Sequence, residues 1–307
     1  MDKQTAKTLC EINNDFYRNH SESFSATRRA PWAGWEKCAS YISSALPHIA
    51  DPETSPHIAG SETCPQAAVT ETLLQVTAPE IAAPETLPHG VVLDAACGNM
   101  RFERFLADAL PDRDFVIYAI DDCAALVNAA PRTVAIDRDI IAALIDERDP
   151  FGSDVPSCDV AVSFGFMHHV PGARMRYALL ANLVRHTRSG GIVIVSLWRF
   201  MNDAGLARRA TETTAQAFGG VERSWRTEDM QAASSRFCHL CSGDLEEGDY
   251  LLGWKNEPGA YRYCHHFSDG DIDDLADSVS AHARVLKCFD ADGRTGSLNA
   301  YLVLQVK

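Results

Sequence analysis

Between Gly90 and Trp198 the chain alternates short apolar runs with helix-forming stretches. "GVVLDAACG" is almost continuously apolar and stops at a small-residue turn, as a strand buried on both faces does. The helical "MRFERFLADAL" follows, then "DFVIYAIDD" as a second run and "ALVNAA" as a helix start. "RTVAIDRD" and "CDVAVSFGFMHHV" are the third and fourth runs. The helical "RMRYALLANLVRHT" comes next with "SGG" as its C-terminal turn, and "IVIVSLW" is the fifth run. Parallel strands need crossover connections, and helical crossovers cover both faces of the sheet. The expected fold is α/β: a Rossmann-like, mostly parallel sheet with helices on both faces.

The flanks read differently. Residues 7–27 carry Leu9, Ile12, Phe16 and Tyr17 on one helical face, and Trp32, Trp35, Cys38, Ala39 and Ile42 form a second helical stripe after Pro31. Residues 1–50 are therefore an N-terminal helical segment. Residues 51–90 are rich in Pro, Glu and Thr and read as a mobile insertion. Residues 91–307 form the main domain, with an insertion at about 200–268. Its end includes an acidic helix capped by Ser268 and two strands around a Gly-rich connection.

Composition excludes several classes. No apolar run is long enough to span a bilayer, and "MDKQTAKTLCE" lacks a signal-like apolar core, so a soluble cytoplasmic protein without membrane partners is expected. The ten cysteines are expected as thiols. "CHLC", Cys238 to Cys241, has zinc-like spacing that Cys264, His265 and His266 would complete, but a single CxxC is as well explained by ordinary thiols, and no metal is expected. The net charge of −14 removes a whole-chain basic field for nucleic acid. Between residues 238 and 292 there are twelve acids against four Lys and Arg, so a basic groove would have to be local.

The chemistry concentrates at strand ends. In "VVLDAACGNMRF" a strand ends at Asp94, a small-residue loop follows and a helix begins, which is where open α/β sheets bind ligands. Asp94, Ala96, Cys97, Gly98 and Asn99 are the candidate loop contacts. Asp121 and Asp122 end the next strand, where a carboxylate can accept ribose hydroxyls. Asp139 follows the third strand, placed for an adenine edge, with Asp137 as its rival; Phe166 follows the fourth. Acids at such positions also serve as helix caps. As a set of three they point to a nucleoside site. The P-loop and dinucleotide fingerprints are missing.

These residues resemble the class I S-adenosylmethionine-dependent methyltransferases, whose first motif is Gly-x-Gly-x-Gly. Here Ala96 and Met100 stand for the first and third glycines. Met100 is expected to pack on its helix. A narrower resemblance is to the tRNA wobble-uridine carboxymethyl methyltransferases. Tyr17, Phe24, Ser25, Thr27, Arg28, Pro31 and Trp32 match their N-terminal pattern, "CGN" their first loop, and "SFGFMHHV" and "VSLW" their fourth and fifth strands. Arg262, Tyr263, His265 and Phe267 match a late motif in which Cys264 replaces a Tyr, and Asn299 matches their closing strand.

The resemblance implies a class I fold with an N-terminal lid over a cleft for S-adenosylmethionine. It implies O-methylation of a carboxylate, the 5-carboxymethyl group of a tRNA wobble uridine, with tRNA as partner and, as in eukaryotic members, a small activating protein. Arg28, Arg262, Tyr263 and His265 are the implied catalytic residues, and Tyr17, Trp32, His168, His169, Trp198 and Asn299 the implied substrate contacts. A carboxylate is already a nucleophile, so positioning and desolvation would carry such a reaction. Two other readings stand beside it: a small-molecule carboxylate O-methyltransferase, and a diverged cofactor-binding module without activity.

Overall fold

The computed structural model describes residues 1–28, 30–49, 89–219, 240–255, 257 and 259–307. Seven strands form one sheet in the order β3-β2-β1-β4-β5-β9-β8. Five are parallel neighbours: β1 (Gly90–Ala95), β2 (Phe115–Asp121), β3 (Thr133–Asp137), β4 (Cys158–Ser163) and β5 (Thr187–Trp198). β9 (Asn299–Val306) pairs antiparallel with β5, and β8 (Ala283–Ala291) antiparallel with β9. The mostly parallel class I architecture is thus present. Strand order reverses between β1 and β4, which opens a crevice at the C-terminal end of β1.

Alternation along each strand splits the core. Val92, Ile117, Val160 and Ile194 face one side, with Trp35, Cys38 and Ile42 of α2 (Ala33–Ala45) and Phe102 and Leu106 of α3 (Arg101–Ala109). Leu93, Ala161, Val193 and Val195 face the other, with Leu179, Leu180 and Leu183 of α5 (Ala173–His186) and Ile272 and Leu275 of α7 (Asp269–Ser278). Neighbouring positions feed opposite layers because successive strand side chains point to opposite faces.

Outside the sheet lie α1 (Lys3–Ala26), α6 (Ala204–Gly219) and the hairpin of β6 (Asp249–Gly253) and β7 (Tyr261–His265). Leu9 and Ile12 of α1 pack on Leu251 and Tyr263 of that hairpin. Asp2 caps α1, accepting from the amides of Gln4 and Thr5. Ser268 caps α7 in a reciprocal box with Asp271.

Two local expectations are corrected. Residues 123–130 form turns and irregular chain, and the helix of this region is α4 (Ile140–Ile145), after β3. "SGG" lies inside β5, which starts at Thr187 directly after α5; pairing with β4 shifts register between Cys158 and Val160. Residues 188–191 fall in that shift, outside the paired register: Gly190 keeps a turn-like φ of 81° and its carbonyl accepts from Gln305 Nε2. The 51–90 insertion, apart from its last two residues, and Cys238 lie outside the described residues. Cys241 is exposed, whereas Cys264 is buried. Among the described residues no helix is long and apolar enough to cross a membrane.

Candidate active site

The loops after β1, β2 and β4, together with α1 and the turn that follows it, enclose a cavity of about 730 Å³. The β1 loop keeps a glycine-type backbone with only its central glycine, Gly98. Ala96, Gly98 and Met100 have φ of 67°, 57° and 59°, all left-handed. A non-glycine residue there costs on the order of 1 kcal/mol. Met100 is 1% exposed and belongs to the same apolar cluster as Trp35 and Phe102, so burial offsets its strain. A Cβ at Gly98 would meet no heavy atom within 4 Å, which leaves the loop open to the cavity.

Acids line this end. Asp121 accepts from the amides of Gly98 (2.8 Å) and Cys123 (2.9 Å), and so fixes the β1 loop to β2. Asp122 also lines the cavity; burial, then Asp139 and Asp121, push its carboxyl up to about 6. Asp139 lines the cavity and also caps α4 by accepting from Ala142 N, whereas Asp137 is exposed and outside the cavity lining. The cap and ligand readings of Asp139 are therefore compatible: one oxygen caps while the other is free to accept. Asp94 is buried with Oδ1 unpartnered, and Cys97, Asn99 and Phe166 complete this end. Acceptors at strand ends, an orphaned buried oxygen and an open glycine suit a ligand with ribose hydroxyls and cationic groups.

The other end is cationic and aromatic. Arg28 and Arg262 both line the cavity. The Arg28 guanidinium stacks 3.4 Å from the Phe24 ring centroid, and burial followed by the charge of Arg262 lowers it to about 10. Arg262 lies 5.4–5.7 Å from the rings of Phe16, Phe24, Trp198 and Trp254, and its Nε has no hydrogen-bond partner. His169 Nδ1 sits 2.9 Å from the Tyr263 carbonyl and donates to it, leaving Nε2 to accept from the Tyr17 hydroxyl at 2.7 Å. Burial, then Arg262, hold His169 down at about 3. His168 packs on Trp198 with Nδ1 unpartnered, and burial keeps it neutral as well. Ligand atoms of His168, His169 and Cys264 lie within 4.8 Å of one another, but both His169 nitrogens are engaged and two guanidiniums lie close by, a field that opposes a cation.

The N-terminal segment is tied down from several sides. Trp32 covers Gly165, where an added Cβ would lie 2.9 Å from the indole. Asp292 accepts from Gly34 N at the start of α2, from Asn299 Nδ2 and from the Tyr301 hydroxyl. Asn299 and Asp292 both line the cavity; Asp292 was not singled out from sequence, where "DADG" reads only as a turn.

Two expected catalytic residues are corrected. Tyr263 and His265 do not line the cavity. Both reach Asp249 Oδ1, at 2.7 Å each. They alternate with Arg262 and Cys264 along β7, so when Arg262 faces the cavity they must face away. The other sequence candidates all line the one cavity.

Residues 93–195 match a family model described as "Methyltransferase domain". No curated protein matches the chain. Among solved structures it is similar to an S-adenosylmethionine-dependent methyltransferase from Methanosarcina mazei, at 13% identity and TM-score 0.46, over 72% of this chain and 94% of that one. It is also similar to an N-methyltransferase from Bradyrhizobium japonicum bound to S-adenosyl-L-homocysteine, at 10% identity and TM-score 0.39, over 71% and 78%. The family model falls on the strands that carry the strand-end acids, so residues 93–195 form a methyltransferase domain.

Proposed function

We propose that the chain transfers the methyl group of S-adenosylmethionine to a carboxylate oxygen. The observation that carries this is the pair Arg28 and Arg262. Both face the cavity, and among the described residues neither guanidinium is in an ion pair. Two buried cations that repel each other are costly unless an anion joins them. A carboxylate matches the guanidinium fork by charge-assisted bonds. The bound cofactor supplies an electrophilic methyl group on a sulfonium. The protein's share is then to hold the acceptor in line, exclude water with the N-terminal lid, and present neutral His168 and His169 that leave the acceptor ionised.

The specific acceptor we propose is the 5-carboxymethyl group of a tRNA wobble uridine. It rests on the resemblance of residues 17–32 and 261–267 to the enzymes of that reaction, and the ring set around Arg262 suits a planar base. The net charge of −14 favours a second reading, a small carboxylic acid as acceptor. The test is transfer of labelled methyl to tRNA carrying 5-carboxymethyluridine beside a panel of small carboxylic acids. An alkali-labile ester on one of these is the expected product. Alkali-stable transfer to an amine or carbon, unaffected by Arg262→Lys, would overturn the carboxylate reading.

A further inference from the structure

The β1 loop rests on two carboxyl groups, only one of which the nucleoside site explains. Asp94 ends at the cavity. Glu103, in the first turn of α3, is 0% exposed and lies behind it. Neither Glu103 oxygen has a hydrogen-bond partner, and Asp94 Oδ1 has none. The two carboxyls are within hydrogen-bonding reach of each other, so the bond open to them forms only if one is protonated. Ionised together they would be two unsolvated like charges in contact.

The surroundings do not neutralise that charge. Asp121, at the end of β2, adds to it. Cys97 in the loop is a neutral thiol, pushed up by burial and then by Asp94. Arg104 on α3 is the cation acting on Glu103, but its guanidinium is committed to the carbonyls of Asn99 and Ala129.

We propose that Asp94 and Glu103 share a single proton while the cleft is empty and lose it to solvent when a cationic ligand binds above the β1 loop, so that the pair favours the sulfonium cofactor over its neutral thioether product. One carboxyl O–H bond breaks, the proton leaves to water, and the pair passes from one negative charge to two. Methyl transfer removes the sulfonium charge, the pair takes a proton back from solvent, and the product is held less firmly. Burial raises both carboxyls, and the charge of Glu103 raises Asp94 further, so Asp94 keeps the last proton after Glu103 ionises. The coupled pair titrates as a unit. Glu103 acts through Asp94 and is a positioning residue. None of this depends on which acceptor the enzyme uses.

The test is titration calorimetry of S-adenosylmethionine and S-adenosylhomocysteine in buffers of different ionisation heat, from pH 6 to 8. Both ligands carry an amino group that titrates, so the readout is the difference between them and its change on mutation. The wild type is expected to release more protons with S-adenosylmethionine than with S-adenosylhomocysteine. Its preference for the former should rise with pH, by up to about tenfold per unit if one proton is fully linked. Glu103→Leu and the isosteric Glu103→Gln should both lose the excess release and flatten the preference. The same excess release in wild type and Glu103→Gln would overturn the proposal, as would a pH-independent preference in the wild type.

Discussion

The Tyr17 hydroxyl donates to Nε2 of His169 across 2.7 Å, joining α1 to the turn after β4. The direction follows from the other ring nitrogen, which donates to the Tyr263 carbonyl. The charge of Arg262 acts on the same phenol, so the N-terminal helix, the β4 turn and β7 meet at Tyr17. Tyr17→Phe is expected to cost about 1–2 kcal/mol, the usual penalty for orphaning a buried partner. Urea denaturation should show that loss together with reduced turnover. An unchanged midpoint and rate would mean that the N-terminal helix is held elsewhere.

The His169 imidazole should impose an acid limb on stability. Its folded value, about 3, lies below the ordinary 6.5. The unfolded chain therefore binds the extra proton over that interval, so the stabilisation is complete above pH 6.5 and drains away as pH falls toward 3. The slope is about 1.4 kcal/mol per pH unit for this one group. The stability gap between wild type and His169→Gln should shrink in that window. A gap independent of pH would show that His169 titrates alike in the folded and unfolded chain.

Arg262→Met is expected to lower turnover about 10²-fold or more, comparable to deleting one charge-stabilising donor. Cofactor affinity should stay within about twofold, because Arg262 lies at the opposite end of the cavity from the strand-end acids. Arg262→Lys should also be impaired, since an ammonium cannot reproduce the fork. Kinetics with the methylated acceptor, paired with calorimetry, checks both. Full activity in the methionine variant would leave Arg262 a packing residue.

Asp121 and Asp122 should separate in mutagenesis. Asp121→Ala leaves the amides of Gly98 and Cys123 without their acceptor, so it should lower both stability and S-adenosylmethionine affinity, the latter by about 1–3 kcal/mol. Asp122→Asn, beside it on the cavity wall, should weaken the cofactor with little change in melting. Equal melting losses for the two would contradict this division.

The left-handed loop residues give opposite signs. Ala96→Gly relieves a φ of 67° and should stabilise by up to about 1 kcal/mol. Met100→Gly relieves a similar φ but deletes a side chain that is 1% exposed, and should destabilise by about 2 kcal/mol or more. Thermal denaturation of both variants checks the two opposite signs.

The sequence by itself determined the sheet and the strand-end acids that line one end of the cavity. Apolar runs buried on both faces have few alternatives to central parallel strands, and the residues that follow β1, β2 and β3 are local to those strand ends, so Asp94, Gly98, Asp121 and Asp139 could be placed by counting. The N-terminal stripe likewise announced α1 and α2. The tertiary structure alone decided the acceptor end. Whether Arg262 or Tyr263 faces the cavity depends on the pleat phase of β7 against α1, and local patterning does not carry that phase. The same holds for Glu103: a glutamate in the first turn of a helix reads as a solvated, dipole-matched residue. Only the packing of α3 against β1 turns it inward onto Asp94 and makes a charge expensive there.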